Sequence, residues 1–433
     1  MAEETKQARL VSLDVFRGMT IAGMVLVNNP GSWGTIYSPL KHAEWHGITP
    51  TDYIFPFFLF IVGIAIPIAL GRRIEEGITG EVYWKIFSRA VMIFGLGLFM
   101  AAFPLIDLAN SNLPFSAKIV IMSALLATCF FWLIGNQKLS IILGIFTILF
   151  PATLYLLGFT FNFINFGTLR IPGVLQRIAV CYAIVSVIFL HTSWKKQAII
   201  GVALLILYWI LMMIVPVPGC EIWTIDDKAC NLAAYLDRLI LTENHIWKSA
   251  KVFDPEGILS TIPAIATTIS GVLTGTWLKS KRDDFEKCGG ILFFGVILCA
   301  LGYIWQHFFP YNKSLWTSSY VIYTSGLAMC FLGACYWLID IKNYRKWSKP
   351  FVIFGVNALA LFIFSGLIAR MLGLIKVAGA DGNEIALQKW IFDNIFLSIA
   401  SPINASLMYA VTFILFWLFL MWLLYRRRIF IKL

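Results

Sequence analysis

Asp52-Tyr53-Ile54-Phe55-Pro56-Phe57-Phe58-Leu59-Phe60-Ile61-Val62-Gly63-Ile64-Ala65-Ile66-Pro67-Ile68-Ala69-Leu70 carries one charged residue, at its first position, and Arg72 and Arg73 follow it. An α-helix rising 1.5 Å per residue needs about 20 such residues to cross about 30 Å of hydrocarbon. The run is too long and too uniformly apolar for the alternating strands of a membrane β-barrel. Comparable runs recur along the chain, near 12–29, 88–106, 116–135, 139–159, 173–191, 198–216, 257–278, 288–308, 319–339, 350–371 and 402–425. With 52–70 they make about twelve spans. Across the 433 residues 59% are apolar and 13% charged, which excludes a soluble globular domain. The expected fold is an all-α polytopic bundle in the lipid bilayer, one transmembrane domain over residues 1–433.

The formal charge of +11 is distributed in short clusters between spans, so nucleic acid is not the expected partner. Lys6 with Arg9, Arg72 with Arg73, Lys85 and Arg89, Lys195 with Lys196, Lys279 to Lys287, Lys342 to Lys349, and Arg426 to Arg428 fall in alternate connections. The positive-inside rule makes those connections cytoplasmic and places both termini inside, with no removable signal peptide. The other connections face outward. The longest, about 217–256, holds Cys220 and Cys230, and two cysteines in an oxidising loop are expected to form a disulfide.

Polar groups in or beside spans are costly and mark function. Asp14 and Arg17 stand at i and i+3 on one helix face, where they read either as a structural ion pair or as one wall of a site for an anionic ligand from the cytoplasm. The first outward loop carries Asn28, then His42-Ala43-Glu44-Trp45-His46, then Asp52. A metal reading of the two histidines lacks a His-Glu-x-x-His order and a third ligand, so no metal is expected. The stated topology brings Arg170 to Arg177 with Gln176, Asp254 with Glu256, and Asn312, Lys313 and Trp316 to the same face as His42. Each is a candidate substrate contact, and helix capping is the structural alternative for Asp254 and Asn312. Trp33, Tyr37, Trp45, Trp223 and Trp316 read as sugar-stacking rings or as interfacial aromatics.

In the segments Leu13 to Gly18, Val27-Asn28, His42 to Trp45, Asp52 to Gly63, Arg170 to Arg177, Asp254 to Leu259, Asn312 to Tyr320 and Gly355-Val356-Asn357-Ala358, the sequence resembles the transmembrane acyltransferases typified by heparan-α-glucosaminide N-acetyltransferase, its bacterial members most of all. The resemblance implies an acetyl-CoA-dependent acyltransferase of the bacterial inner membrane. Its co-substrate would be cytoplasmic acetyl-CoA, and its acceptor an amino sugar or glycan amine outside. It implies a catalytic histidine at His42 and a functional asparagine at Asn28, places Asn357 in a shared motif, and is compatible with a homodimer. The sequence shows no counterpart of the animal enzyme's large luminal segment, and an extra helix pair near 116–159 precedes the Arg170 motif. Chemistry fits: histidine takes the amine proton or the acetyl group, and an amide at Asn28 would serve a developing oxyanion. The rival reading is an amino-sugar transporter related to N-acetylglucosamine uptake. A carrier should show broken helices or repeat symmetry, and the sequence reveals neither.

Overall fold

The computed structural model describes residues 10–379 and 382–431, and Lys6 and Arg9 lie outside them. Fifteen α-helices account for nearly all regular structure: α1 Val11–Asn28, α2 Ile54–Glu76, α3 Gly80–Ala102, α4 Phe115–Leu133, α5 Gln137–Leu156, α6 Val174–His191, α7 Trp194–Ile214, α8 Leu232–Leu241, α9 Thr261–Leu278, α10 Asp284–Trp305, α11 Ser318–Tyr336, α12 Lys349–Val356, α13 Ala358–Leu374, α14 Leu387–Ile391 and α15 Pro402–Arg426. The only sheet among the described residues is a hairpin, β1 Lys376–Ala378 against β2 Glu384–Ala386, with Val377 opposite Ile385. The protein is a polytopic helical membrane protein.

Ten of the expected spans are helices long and apolar enough to cross a bilayer, and α12 with α13 forms an eleventh as a bent pair. The twelfth, α9, falls short on composition because it carries Thr261, Thr267, Thr268, Ser270, Thr274 and Thr276. Most of those hydroxyls donate back to carbonyls three or four residues earlier, which lets a hydroxyl-rich helix sit in an apolar interior.

Two spans differ from expectation in a way that matters. α3 begins at Gly80, some residues before the anticipated 88, so Lys85 and Arg89 sit on its first turns and not in a loop. Lys85 stays exposed, its Nζ 3.8 Å from Glu81 Oε2, and the Arg89 guanidinium lies 5.2 Å from the Tyr182 ring. The 350–371 run is not one helix. It breaks at Asn357 with a bend of 71°. The fully buried Asn357 amide donates from Nδ2 to Ile429 O at 3.0 Å, and Oδ1 accepts Ile431 N at 2.8 Å. The helix break therefore exchanges its own backbone bonding for a dock with the segment after α15.

α1, α2, α6, α9 and α11 form the interior, and α5, α7, α10 and α15 the lipid-facing wall. Lipid offers no hydrophobic force between helices, so small residues decide where backbones meet. A Cβ on Gly63 of α2 would fall 2.1 Å from Thr268 O of α9, and one on Gly271 would fall 2.1 Å from Phe60 O. The same arrangement joins α1 to α12, where a Cβ on Gly18 would meet Phe351 O and one on Gly355 would meet Asp14 O. α1 begins and α11 ends at one end of the bundle, tied by Ser12 N donating to Asp340 Oδ2 at 3.2 Å. By the alternation of the helices the basic clusters gather at this end, and His42 at the other.

Candidate functional site

The loop from α1 to α2 is held by one carboxylate. Asp52, 1% exposed, follows Thr49 and Pro50 in a capping box. Its Oδ2 accepts Ala43 N (3.2 Å), Thr49 N (3.0 Å) and Thr49 Oγ1 (2.9 Å), which folds the loop back over the start of α2. Oδ1 is left for His42, whose Nδ1 stands 2.6 Å away. Tyr320 of α11 donates its hydroxyl to Asp52 O at 2.6 Å and fixes the same turn from the bundle side. The half-exposed His42 ring is thus oriented by a buried carboxylate. The third partner arrives from far along the chain: Lys313 Nζ lies 3.1 Å from Nδ1 and 3.2 Å from Nε2 of His42. With Nδ1 as donor to Asp52, Nε2 is the nitrogen that faces a reactant. Burial pushes the Lys313 ammonium below the ordinary lysine range, against the opposing pull of Asp52 and Glu256.

Lys313 belongs to a turn that Asn312 caps, its Oδ1 accepting Leu315 N at 2.9 Å. The turn ends at Trp316 in the left-handed region, φ +54°, a conformation that a bulky side chain adopts only when its surroundings fix it. Trp316 is buried, donates Nε1 to Thr267 Oγ1 at 3.1 Å and carries the Arg177 guanidinium 5.1 Å from its ring centre. It is therefore a floor beneath Arg177 and no platform for a sugar.

Arg177, 3% exposed, donates Nη2 to Gly257 O and Ser260 Oγ, while its Nε and Nη1 have no hydrogen-bond partner among the described residues. Beside it lies a largely buried ionic cluster. Arg170 grips Asp254 with two bonds, Nε to Oδ2 at 2.8 Å and Nη2 to Oδ1 at 2.6 Å, and also pairs with Glu256. Burial alone would raise the Glu256 carboxyl, but Arg170, Arg177 and Lys313 outweigh it and hold it below its usual value. Asp237 of α8 accepts Asp254 N (3.3 Å) and Ile258 N (2.9 Å), and burial raises its carboxyl to about 6. Gln176 points to α3, where a Cβ on Gly97 would meet its side-chain oxygen.

The two histidines of the loop have different surroundings. His46 Nε2 is 2.8 Å from Asp226 Oδ1, and its Nδ1 is 3.4 Å from Asn312 Nδ2. With Trp45 Nε1 donating to Ile225 O at 2.9 Å, this clasps the long connection onto the first loop. Cys220 and Cys230 are disulfide-bonded in that connection. Nothing local in the sequence marks Asp226, 180 residues away, as the partner of His46.

Of the remaining expected site residues, Asn28 is the last residue of α1, exposed and without a hydrogen bond from its side chain among the described residues. Its neighbour Asn29 is the buried one, donating Nδ2 to Val25 O at 2.9 Å. Asp14 and Arg17 pair at 3.3 Å at the basic end, where Arg17 Nη1 also reaches Gly355 O at 3.4 Å. Asn357 serves the helix break at that same end and stands apart from the His42 cluster. Trp33 is exposed, and Tyr37 donates to Asn404 Oδ1 at 2.5 Å. No group of three or more His, Cys, Asp or Glu among the described residues is arranged to hold a metal ion.

Comparison with known proteins places these residues in context. A family model described as heparan-alpha-glucosaminide N-acetyltransferase, catalytic, matches residues 9–166, the stretch that contains Asn28, His42 and Asp52. The heparan-alpha-glucosaminide N-acetyltransferase of Homo sapiens is 26% identical over 411 residues, covering 82% of this chain and 52% of that protein. Its counterpart in Mus musculus is 25% identical over 412 residues, with 82% and 53% covered. The chain thus spans about half the length of these curated relatives.

Proposed function

We propose that the chain is a member of the heparan-α-glucosaminide N-acetyltransferase-like family, and that it is a membrane-embedded acyltransferase moving an acetyl group from acetyl-CoA to the amine of an amino sugar at the His42 end of the bundle. The observation that carries this reading is the His42 imidazole held by buried Asp52 through Nδ1, with Nε2 turned the other way and Lys313 Nζ 3.2 Å from it. The same carboxylate-imidazole pairing orients general bases in acyl transfer elsewhere.

In the proposed reaction Nε2 takes a proton from the sugar amine as the nitrogen lone pair attacks the thioester carbonyl. The carbon–sulfur bond breaks, the thiolate leaves, and the proton held by His42 passes to it. Asp52 supports the transient imidazolium, as a buried carboxylate does in such triads. Asn28 and Lys313 are the proposed donors to the carbonyl oxygen as it gains charge. Asp254, Glu256 and Arg177 are the proposed acceptor wall, a reading supported by the Nε and Nη1 of Arg177 having no hydrogen-bond partner among the described residues, whereas Gln176 packs toward α3 and is left out of it. The donor's anionic nucleotide is assigned to the opposite, basic end, with Arg17 and Asp14 beside it, and that end to the cytoplasm of a bacterial inner membrane.

A carrier would use the broken helix at Asn357, a feature absent from the sequence-level expectation. The buried amides there are occupied by Ile429 and Ile431, so acyl transfer remains the better reading.

Purified protein assayed with labelled acetyl-CoA and a panel of amino sugars tests it. His42→Ala should lower transfer at least about a hundredfold while leaving folding intact. His46→Ala, which removes only the clasp to Asp226, should be much milder. Parental activity in His42→Ala would remove His42 from the mechanism, and label retained on the parent without acceptor would favour an acetyl-histidine intermediate.

A further inference from the structure

At the basic end, α12 and the last turns of α15 enclose an open groove of about 470 Å³. Lys346, Lys349 and Pro350 form its upper rim, and Ile353, Leu418, Phe419 and Trp422 its wall. Both lysines are exposed, and neither makes an ion pair or hydrogen bond among the described residues. Arg426 adds a third cation, its guanidinium 5.6 Å from the Trp422 ring. The nearest carboxylate in sequence, Asp340, is turned toward Ser12 N. α12 continues directly from a short 3-10 turn over Lys346–Ser348, so both lysines stand on one helical stretch at this rim. Phe419 is 56% exposed, yet it sits on a membrane-spanning helix below this ring of charge.

We propose that this groove binds an anionic diacyl phospholipid, with its phosphate between Lys346 and Lys349 and an acyl chain along Ile353, Leu418 and Phe419. Two features favour a lipid over a soluble polyanion. A free nucleotide or phosphate would satisfy the lysines but leave the wall below them unfilled, whereas a phospholipid matches both the charge and the apolar depth. Basic pockets between helices at a cytoplasmic boundary are recurrent headgroup sites for this reason. The bound lipid would brace α12 against α15 beside the dock of Asn357 with Ile429 and Ile431.

The full chain, purified in detergent and incubated with phosphatidylglycerol or phosphatidylcholine, is examined by native mass spectrometry for retained lipid. The parent should retain phosphatidylglycerol with about a tenfold preference. Lys346→Gln/Lys349→Gln should lose that preference, and Lys346→Arg/Lys349→Arg should keep it. Melting of the Gln variant in phosphatidylcholine nanodiscs should match the parent, and phosphatidylglycerol nanodiscs should raise the melting temperature of the parent alone. Equal retention of the two lipids by the parent, undiminished preference in the Gln variant, or displacement of phosphatidylglycerol by CoA would each overturn the assignment.

Discussion

Replacing Asp52 by Asn isolates what the buried carboxylate does for His42. The side chain keeps its shape, but one oxygen becomes an NH2. Oδ2 accepts from Ala43 N, Thr49 N and Thr49 Oγ1, so the amide oxygen should take that position and turn its NH2 toward His42. Nδ1 must then accept instead of donate, and the proton moves to Nε2, the nitrogen the reaction needs bare. Loss of the correct tautomer in comparable triads costs about 10⁴-fold in turnover. The fold loses one charge-assisted hydrogen bond, about 1.5–3 kcal/mol, in a loop that Tyr320 still anchors. The expected result is a protein that purifies and melts near the parent and transfers label from acetyl-CoA to glucosamine about 10³- to 10⁴-fold more slowly. The decisive measurement is the cycle with His42→Ala. If Asp52 acts through His42, adding Asp52→Asn to His42→Ala should change almost nothing. A double variant slower than His42→Ala by the same factor that Asp52→Asn imposes on the parent would refute the reasoning.

Two further outcomes are expected. Arg170→Ala should destabilise the protein by about 3–5 kcal/mol, because it leaves Asp254 and Glu256 buried without their cation, and Arg170→Lys should recover only part of this since one ammonium cannot replace a two-bond grip. Thermal melting in detergent reads both. Asp237 titrates near 6 in the fold against 3.8 ordinarily, so the folded state favours its protonated form, and that stabilisation is complete at low pH and lost as pH rises through about 6. Melting should therefore fall between pH 5 and pH 7, by a free energy on the order of 2 kcal/mol, and more steeply in the parent than in Asp237→Asn.

Much of the bundle is legible in sequence because an apolar run of fixed length has few alternatives in a membrane. The misplacements have local causes. Lys85 and Arg89 look like loop residues, but α3 already begins at Gly80 and includes both. Gly355-Val356-Asn357-Ala358 reads as uninterrupted apolar helix, and the bend depends on a segment more than 70 residues later, at Ile429 and Ile431. In the site, Asp52 stands ten residues from His42, close enough for the two to belong to one motif. Lys313 was grouped with His42 only by membrane face, and its contact with both ring nitrogens needed the folded turn at Asn312. The Arg170 grip on Asp254 and Glu256 was visible as three charges on one face, but not as a pair with a direction. Trp316 reads in sequence as a sugar-stacking or interfacial ring because nothing in its neighbours announces Arg177 against it.

The dock of Asn357 also orders events during synthesis. When α12 and α13 leave the ribosome, the backbone between them is already bent or unsatisfied, and the two groups that complete it have not been made. α15 must first insert before Ile429 and Ile431 can reach the Asn357 amide. Until then a buried polar side chain has only water or lipid headgroups for partners, a state costly within a membrane. The last helix thus acts as the latch of assembly, and a chain cut short before Ile429 would carry a bundle complete in its spans but unlocked at its basic end.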